Sequence, residues 1–198
     1  MSELHIHWKI NRLDEGDEPD PRFAECLLEI EGRIECAGST AGMVDAHYLF
    51  AEDPASATAF MELWDYDSSS CDVYEEITNQ GLRKMHEPIP RFLDPASGIL
   101  CVHFIGLRPP FRHIGMGREV MRELVRAMAD PRIGLVLLNA TPLQHMPCGY
   151  DDFDEEVRDL PWNPPEDDQE ALMRHFIGWG MQRLPGTRFM IAAPETLA

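Results

Sequence analysis

Residues 99–118 read Ile99-Leu100-Cys101-Val102-His103-Phe104-Ile105-Gly106-Leu107-Arg108-Pro109-Pro110-Phe111-Arg112-His113-Ile114-Gly115-Met116-Gly117-Arg118. The first nine are almost continuously apolar, the pattern of a central strand covered on both faces. From about 115 to 129 the pattern changes to helical spacing. Met116, Val120, Met121, Leu124, Val125 and Met128 share one side, and Arg118, Glu119, Arg122, Glu123 and Arg126 share the other. A buried strand therefore gives way, through a glycine-containing turn, to an amphipathic helix. The next apolar run, 133–139, predicts a second buried strand. Strand, helix and strand in this order argue for an α/β or α+β domain with layered helices and sheet.

The turn carries the chemistry. Gly115 and Gly117 let the backbone approach a bulky anion and adopt positive φ. The helix start supplies unpaired N–H groups and the positive end of the helix dipole. Together these make a phosphate cradle. Arg112 and Arg118 flank it with positive charge in a chain whose formal net charge is −18. A dinucleotide fingerprint requires a further glycine where Val120 stands, and the P-loop ending Gly-Lys-Ser/Thr is absent.

The segment resembles the acyl-CoA motif of the GNAT N-acetyltransferases, an Arg or Gln followed by x-x-Gly-x-Gly/Ala, filled here by Arg112, Gly115 and Gly117. The lead-in Leu107 and Pro109 is similar to that family as well. So is the closing segment, with helical Ala171 to Met181, the turn at Leu184-Pro185-Gly186-Thr187, and Phe189-Met190. The resemblance covers 99–193. It implies a mixed, mostly antiparallel central sheet with helices on both faces. It implies one domain, 1–198, with the acyl-CoA half at 99–193 and a divergent N-terminal half at 1–98. The pyrophosphate of acetyl-CoA would lie on Arg112, His113, Ile114, Gly115, Met116, Gly117 and Arg118. Strands 99–107 and 133–139 would splay to admit the pantetheine arm, with backbone contacts at Ile105 and Leu107 and a contribution from Asn139. A backbone N–H near Leu107 would polarise the acyl carbonyl. The implied function is transfer of an acetyl group to an amine; the alternative is an inactive CoA-binding protein with a regulatory or interaction role. A third option, an acidic protein that neutralises a basic partner, is opposed by the intact turn.

Two departures stand out. Phe176 occupies the position where many relatives have a tyrosine that protonates the leaving thiolate. The first half reads as three strands before the helices, where the family has one strand and two helices. A base must therefore be sought elsewhere. His103, four residues before Leu107, is expected on the same strand face and is the candidate; the competing reading is a core histidine. His145 and Cys148 follow the second strand in a loop near the thioester end.

Around this core, 4–10 alternates as a strand, with His5 and His7 outward. Residues 13–22 form an acidic loop, and 25–36 and 42–50 form a hairpin through Gly38-Ser39-Thr40. Pro54 opens one helix, a second runs from about Ser69 to Lys84, and 86–98 connect. Residues 150–168 form an acidic, proline-containing insertion, 168–181 a helix, and 188–193 the last strand. The acidity excludes nucleic-acid binding and favours a cationic acceptor. No membrane span or signal peptide is expected. The cysteines, odd in number and without a CxxC pair, suit a reducing cytoplasm and no metal site.

Overall fold

The computed structural model describes residues 4–12, 27–50, 73, 75–79, 84–93, 97–128, 131–143 and 165–198. Strands β1 (Leu4–Arg12), β2 (Leu27–Cys36) and β3 (Ser39–Phe50) form an antiparallel meander. Along β1, His5, His7 and Lys9 are exposed while Leu4, Ile6 and Trp8 pack on the core. This alternation is what one buried and one wet face demand.

The turn between β2 and β3 is Ala37-Gly38, with φ of 52° and 76°. Two positive φ angles match the twist of the flanking strands, as in the primed hairpin turns. Cys36 pairs with Ser39, so the turn lies one residue earlier than Gly38-Ser39-Thr40.

The helix expected from Ser69 to Lys84 is cut short. Helical residues end at Ile77, and β4 (Thr78–Asn79) pairs with β5 (Lys84–Met85). Threonine and asparagine are both poor helix residues, and His86 N–H donates to the Ile77 carbonyl to close the segment. The helix opening at Pro54 and the acidic loop 13–22 lie outside the described residues.

Strand β6 (Gly98–Leu107) is central, as its apolar run predicts, with β3 on one side and β7 (Ile133–Asn139) on the other. Strands β8 (Gln182–Arg183) and β9 (Phe189–Ala192) complete a seven-stranded sheet of order β1-β2-β3-β6-β7-β9-β8. Only the β6–β7 pair is parallel. Parallel neighbours need a crossover, which helix α1 (Met116–Met128) provides. Helix α2 (Pro165–Ile177) begins three residues before the expected 168. Pro165 opens it, and Glu166, Asp167 and Asp168 occupy its first turn, where acidic residues oppose the positive helix end. Helix α3 (Pro194–Leu197) closes the chain.

Both faces of the central strands are buried. Val120, Met121, Leu124 and Val125 of α1, with Met173 and Phe176 of α2, cover Ile34, Val44, Leu100 and Val102. On the opposite face, Val73, Ile77, Met85 and Ile89 cover Leu49, Ile99, Cys101 and Leu137. The fold is thus a mixed, mostly antiparallel sheet with helical residues packed on both sides.

Candidate functional site

The β6–β7 ladder runs from Gly98 opposite Ile133 to Val102 opposite Leu138 and stops there. Beyond it, β6 continues from His103 to Leu107 with β3 as its partner, while Asn139 pairs with Phe189 of β9. A gap therefore opens between two strands in the middle of the sheet. Arg108 N–H donates to the Ala41 carbonyl of β3 at 2.9 Å. Backbone groups alternate along a strand, so those of Ile105 and Leu107 point away from β3, into the gap. The Leu107 carbonyl accepts a hydrogen bond from Arg112 Nε at 2.6 Å, which fastens the turn to the strand end.

The turn follows at once. Pro109–Phe111 make one 3-10 turn. His113 and Gly115 then take positive φ, 62° and 84°, and α1 begins at Met116. A Cβ at Gly115 would meet no atom within 4 Å, so this glycine borders open space in front of the helix start. Gly117 is a glycine for another reason. A Cβ there would lie 3.3 Å from Trp179 Cη2 and 3.8 Å from Leu107 Cδ1, so its absence lets the indole lie against the first turn of α1. Met116 packs on the same core, and Ile114 is 66% exposed.

Arg118 is half-buried in the first turn of α1, and its Nε is buried with no hydrogen-bond partner. Farther along, Arg122 pairs with Glu119 at 3.1 Å and Arg126 with Glu123 at 2.6 Å. Arg118 makes no ion pair among the described residues. A guanidinium nitrogen shielded from water and left without an acceptor is a place for an anion. The residues present thus suit a phosphate group, with first-turn N–H groups, open space at Gly115, and the cations of Arg112 and Arg118.

His103 is the extra residue of a β-bulge. Val102 faces Ala46 and Phe104 faces Asp45, which leaves His103 between two successive β3 positions. The bulge resets the alternation. Leu100 and Val102 pack on the α1 face, and past the bulge so do Ile105 and Leu107. His103 turns to the opposite face and meets His47 of β3. Its Nε2 lies 3.0 Å from His47 Nδ1, with the rings edge-on at 77°. The four-residue spacing therefore does not put His103 and Leu107 on one face. Sequence reasoning also missed His47, which lies 56 residues away; its place opposite Cys101 becomes visible only with the β3–β6 register.

Asn139 ends β7, and its Oδ1 accepts from the Thr141 N–H at 3.0 Å and from Thr141 Oγ1 at 2.8 Å. Its carbonyl side is occupied by this turn, which leaves its amide NH2 as the group for a ligand. Phe176 is buried and packs edge-to-face on Trp179, with centroids 4.9 Å apart. Its ring serves the contact beside Gly117. His175 is exposed and lies edge-to-face with Trp179, ring centroids 5.1 Å apart. His145 and Cys148 lie outside the described residues. Among those described, no group of three metal-ligating side chains comes together and no helix is long and apolar enough to cross a membrane.

No family model matches the chain, and no curated protein matches it. Among solved structures it is similar to the loading GNATL domain of CurA from Lyngbya majuscula, at 11% identity over 96% of this chain and 98% of that one, with a TM-score of 0.38.

Proposed function

We propose that the chain binds acetyl-CoA at the 112–118 turn and transfers the acetyl group to an amine. One observation carries this reading: a central strand that loses its parallel neighbour at Val102 and runs directly into a left-handed glycine at a helix start. The bound cofactor would supply an activated acyl group. Arg112, Arg118 and the backbone from His113 to Gly117 would hold its pyrophosphate. Outward backbone groups of Ile105 and Leu107 would align the arm in the gap, with Asn139 on the facing strand. A fixed N–H at this edge would stabilise negative charge on the acyl oxygen, and ordering both reactants in the gap would supply much of the rate. The acidic surface suits a cationic acceptor, small molecule or peptide.

A second reading, a CoA-binding protein without transfer activity, is favoured by Phe176, whose buried ring offers no proton to a leaving thiolate.

The cleanest test uses Gly115. Aspartate and asparagine tolerate positive φ better than most side chains, so Gly115→Asp and Gly115→Asn should both fold, and they differ only in charge. CoA affinity by calorimetry should be weaker for the Asp variant than for the Asn variant by about 1.5–3 kcal/mol, roughly ten- to a hundred-fold. Equal affinities would remove the turn as the pyrophosphate seat. With binding established, thiol release from acetyl-CoA over a panel of amines separates transfer from binding alone.

A further inference from the structure

We propose that β1 is a self-pairing edge: two copies of this chain join their β1 strands antiparallel, with Trp8 on the twofold axis, into one continuous sheet. The inference stands apart from the acyl-transfer reading.

Edge strands usually carry a defence against pairing, such as shortness, a proline, a bulge or a lysine held over the open backbone groups. The other end of the sheet follows this rule, because β8 has two residues. Strand β1 does not. It runs nine residues, Leu4 to Arg12, without proline, and its register with β2 is unbroken. Among the described residues no strand lies beyond it.

Its side chains lean away from the edge. Trp8 stands opposite Gly32, where a Cβ would come within 2.6 Å of the indole Cζ3, so the glycine lets the ring fold over β2. Lys9 Nζ is drawn to Glu31 Oε2 at 3.3 Å, and His7 Nε2 lies 3.3 Å from Glu35 Oε2. Both carboxylates belong to β2, so neither basic group hangs over the outer side. The apolar stripe of β1 is meanwhile incompletely covered. Leu4, Ile6 and Trp8 are half-buried, and Ile10 is 47% exposed.

A second copy fits this edge. A twofold axis through Trp8, the middle of the strand, brings all nine residues into register. Ile6 then faces the partner's Ile10 on the apolar face, a favourable cross-strand pair made twice by symmetry. On the wet face His7 faces the partner's Lys9, and each has a carboxylate of its own chain beside it. A nine-residue antiparallel ladder supplies about eight to ten main-chain hydrogen bonds, as many as a typical specific interface holds.

Charge selects the occupant. Two chains of net charge −18 repel each other, so they meet best where carboxylate does not face carboxylate, and β1 has no acidic residue. A charged peptide would find Lys9 and His7 already matched. A strand whose own charges are drawn back in the same way fits, and this chain carries one. Three strand spacings, about 14 Å, separate β1 from β6, so the gap beside β6 stays clear of the interface.

The test is the mass in solution of wild type, Ile10→Glu and Ile10→Lys, by sedimentation at about 100 μM protein and about 150 mM salt. Ile10 is exposed in the single chain, so both variants should fold. In the pair each buries a charge on the apolar face twice, whatever its sign. The wild type should sediment at twice the monomer mass of 22.6 kDa, and both variants should dissociate at least about 10²-fold more readily. Hydrogen exchange locates the contact. Wild-type amides of β1 should be protected at high protein concentration and lose that protection on dilution, and in both variants they should be unprotected throughout. A monomeric wild type overturns the inference, as does a dimer that survives both substitutions or protection that changes elsewhere and not in β1. Dissociation by Ile10→Glu alone would also overturn it, because net charge and not strand pairing would then decide association.

Discussion

Cys101 shows at the scale of one residue how burial becomes a pH dependence. It lies mid-strand with no exposed surface. Burial, with a smaller contribution from the Asp45 charge, pushes its thiol far above the ordinary range. The folded protein therefore keeps this proton at pH values where the unfolded chain, with an ordinary thiol near 8.5, has lost it. Above that point the native state binds more protons than the unfolded state, so stability falls as pH rises. The contribution is complete below about pH 8.5 and is lost at about 1 kcal/mol per pH unit above it. Urea unfolding of wild type and Cys101→Ala from about pH 8 to about pH 10 should show the wild type losing stability faster by that slope. Parallel pH profiles would mean that the thiol ionises in place. The same residue marks where sequence reasoning about the site stopped. Its apolar neighbours and His103 on the same strand were legible, whereas His47 and Asp45, which share its surroundings, come from β3, joined to β6 only by tertiary pairing.

Elements were legible where periodicity was strong. The apolar runs 99–107 and 133–139 are the central strands, and the 116–128 stripe is α1, because a sheet covered on both faces leaves no polar alternation to confuse the pattern. Register was not legible. Nothing in the string from Val102 to Phe104 reveals a bulge, since it is defined by what stands opposite, and the bulge decides which face His103 joins. Gly117 is similar: its spacing fits the cradle, yet its closest neighbour is Trp179, on a segment far away in sequence. The β2–β3 turn offers a test at this scale. Ala37 is exposed and left-handed at φ 52°, followed by Gly38 at 76°. A Cβ in that region is disfavoured by about 1–2 kcal/mol, less for asparagine, and Asn-Gly is the preferred pair for such turns. Ala37→Asn should stabilise the protein by about 0.5–1 kcal/mol, read as a higher urea midpoint at unchanged slope. An unchanged or lower midpoint would mean that the turn tolerates alanine for a reason outside its backbone angles.

At the scale of the whole molecule the dominant fact is charge: 35 acidic residues against 17 basic ones. Ion pairs such as Lys9–Glu31 at 3.3 Å, Arg91–Glu87 at 3.0 Å and Arg183–Glu170 at 3.0 Å lie on the surface, where each is worth about 0–1 kcal/mol. They cannot offset the mutual repulsion of the carboxylates in excess, which folding brings closer together. Salt screens attraction and repulsion alike, but with this imbalance repulsion is the larger sum. Raising sodium chloride from about 10 mM to about 150 mM shortens the screening length from about 30 Å to about 8 Å. The thermal midpoint should rise by about 2–4 °C, corresponding to roughly 1 kcal/mol for a chain of this size. Potassium chloride should act equally, because the effect is ionic strength and not a bound ion. A midpoint that falls would show that the surface pairs outweigh the net charge. A rise limited to one cation would point to a specific site. The same field bears on the 112–118 turn. An anionic ligand at the proposed seat would meet a surface that repels it at long range and would be attracted only within reach of Arg112 and Arg118, two cations set against the field of the rest of the chain.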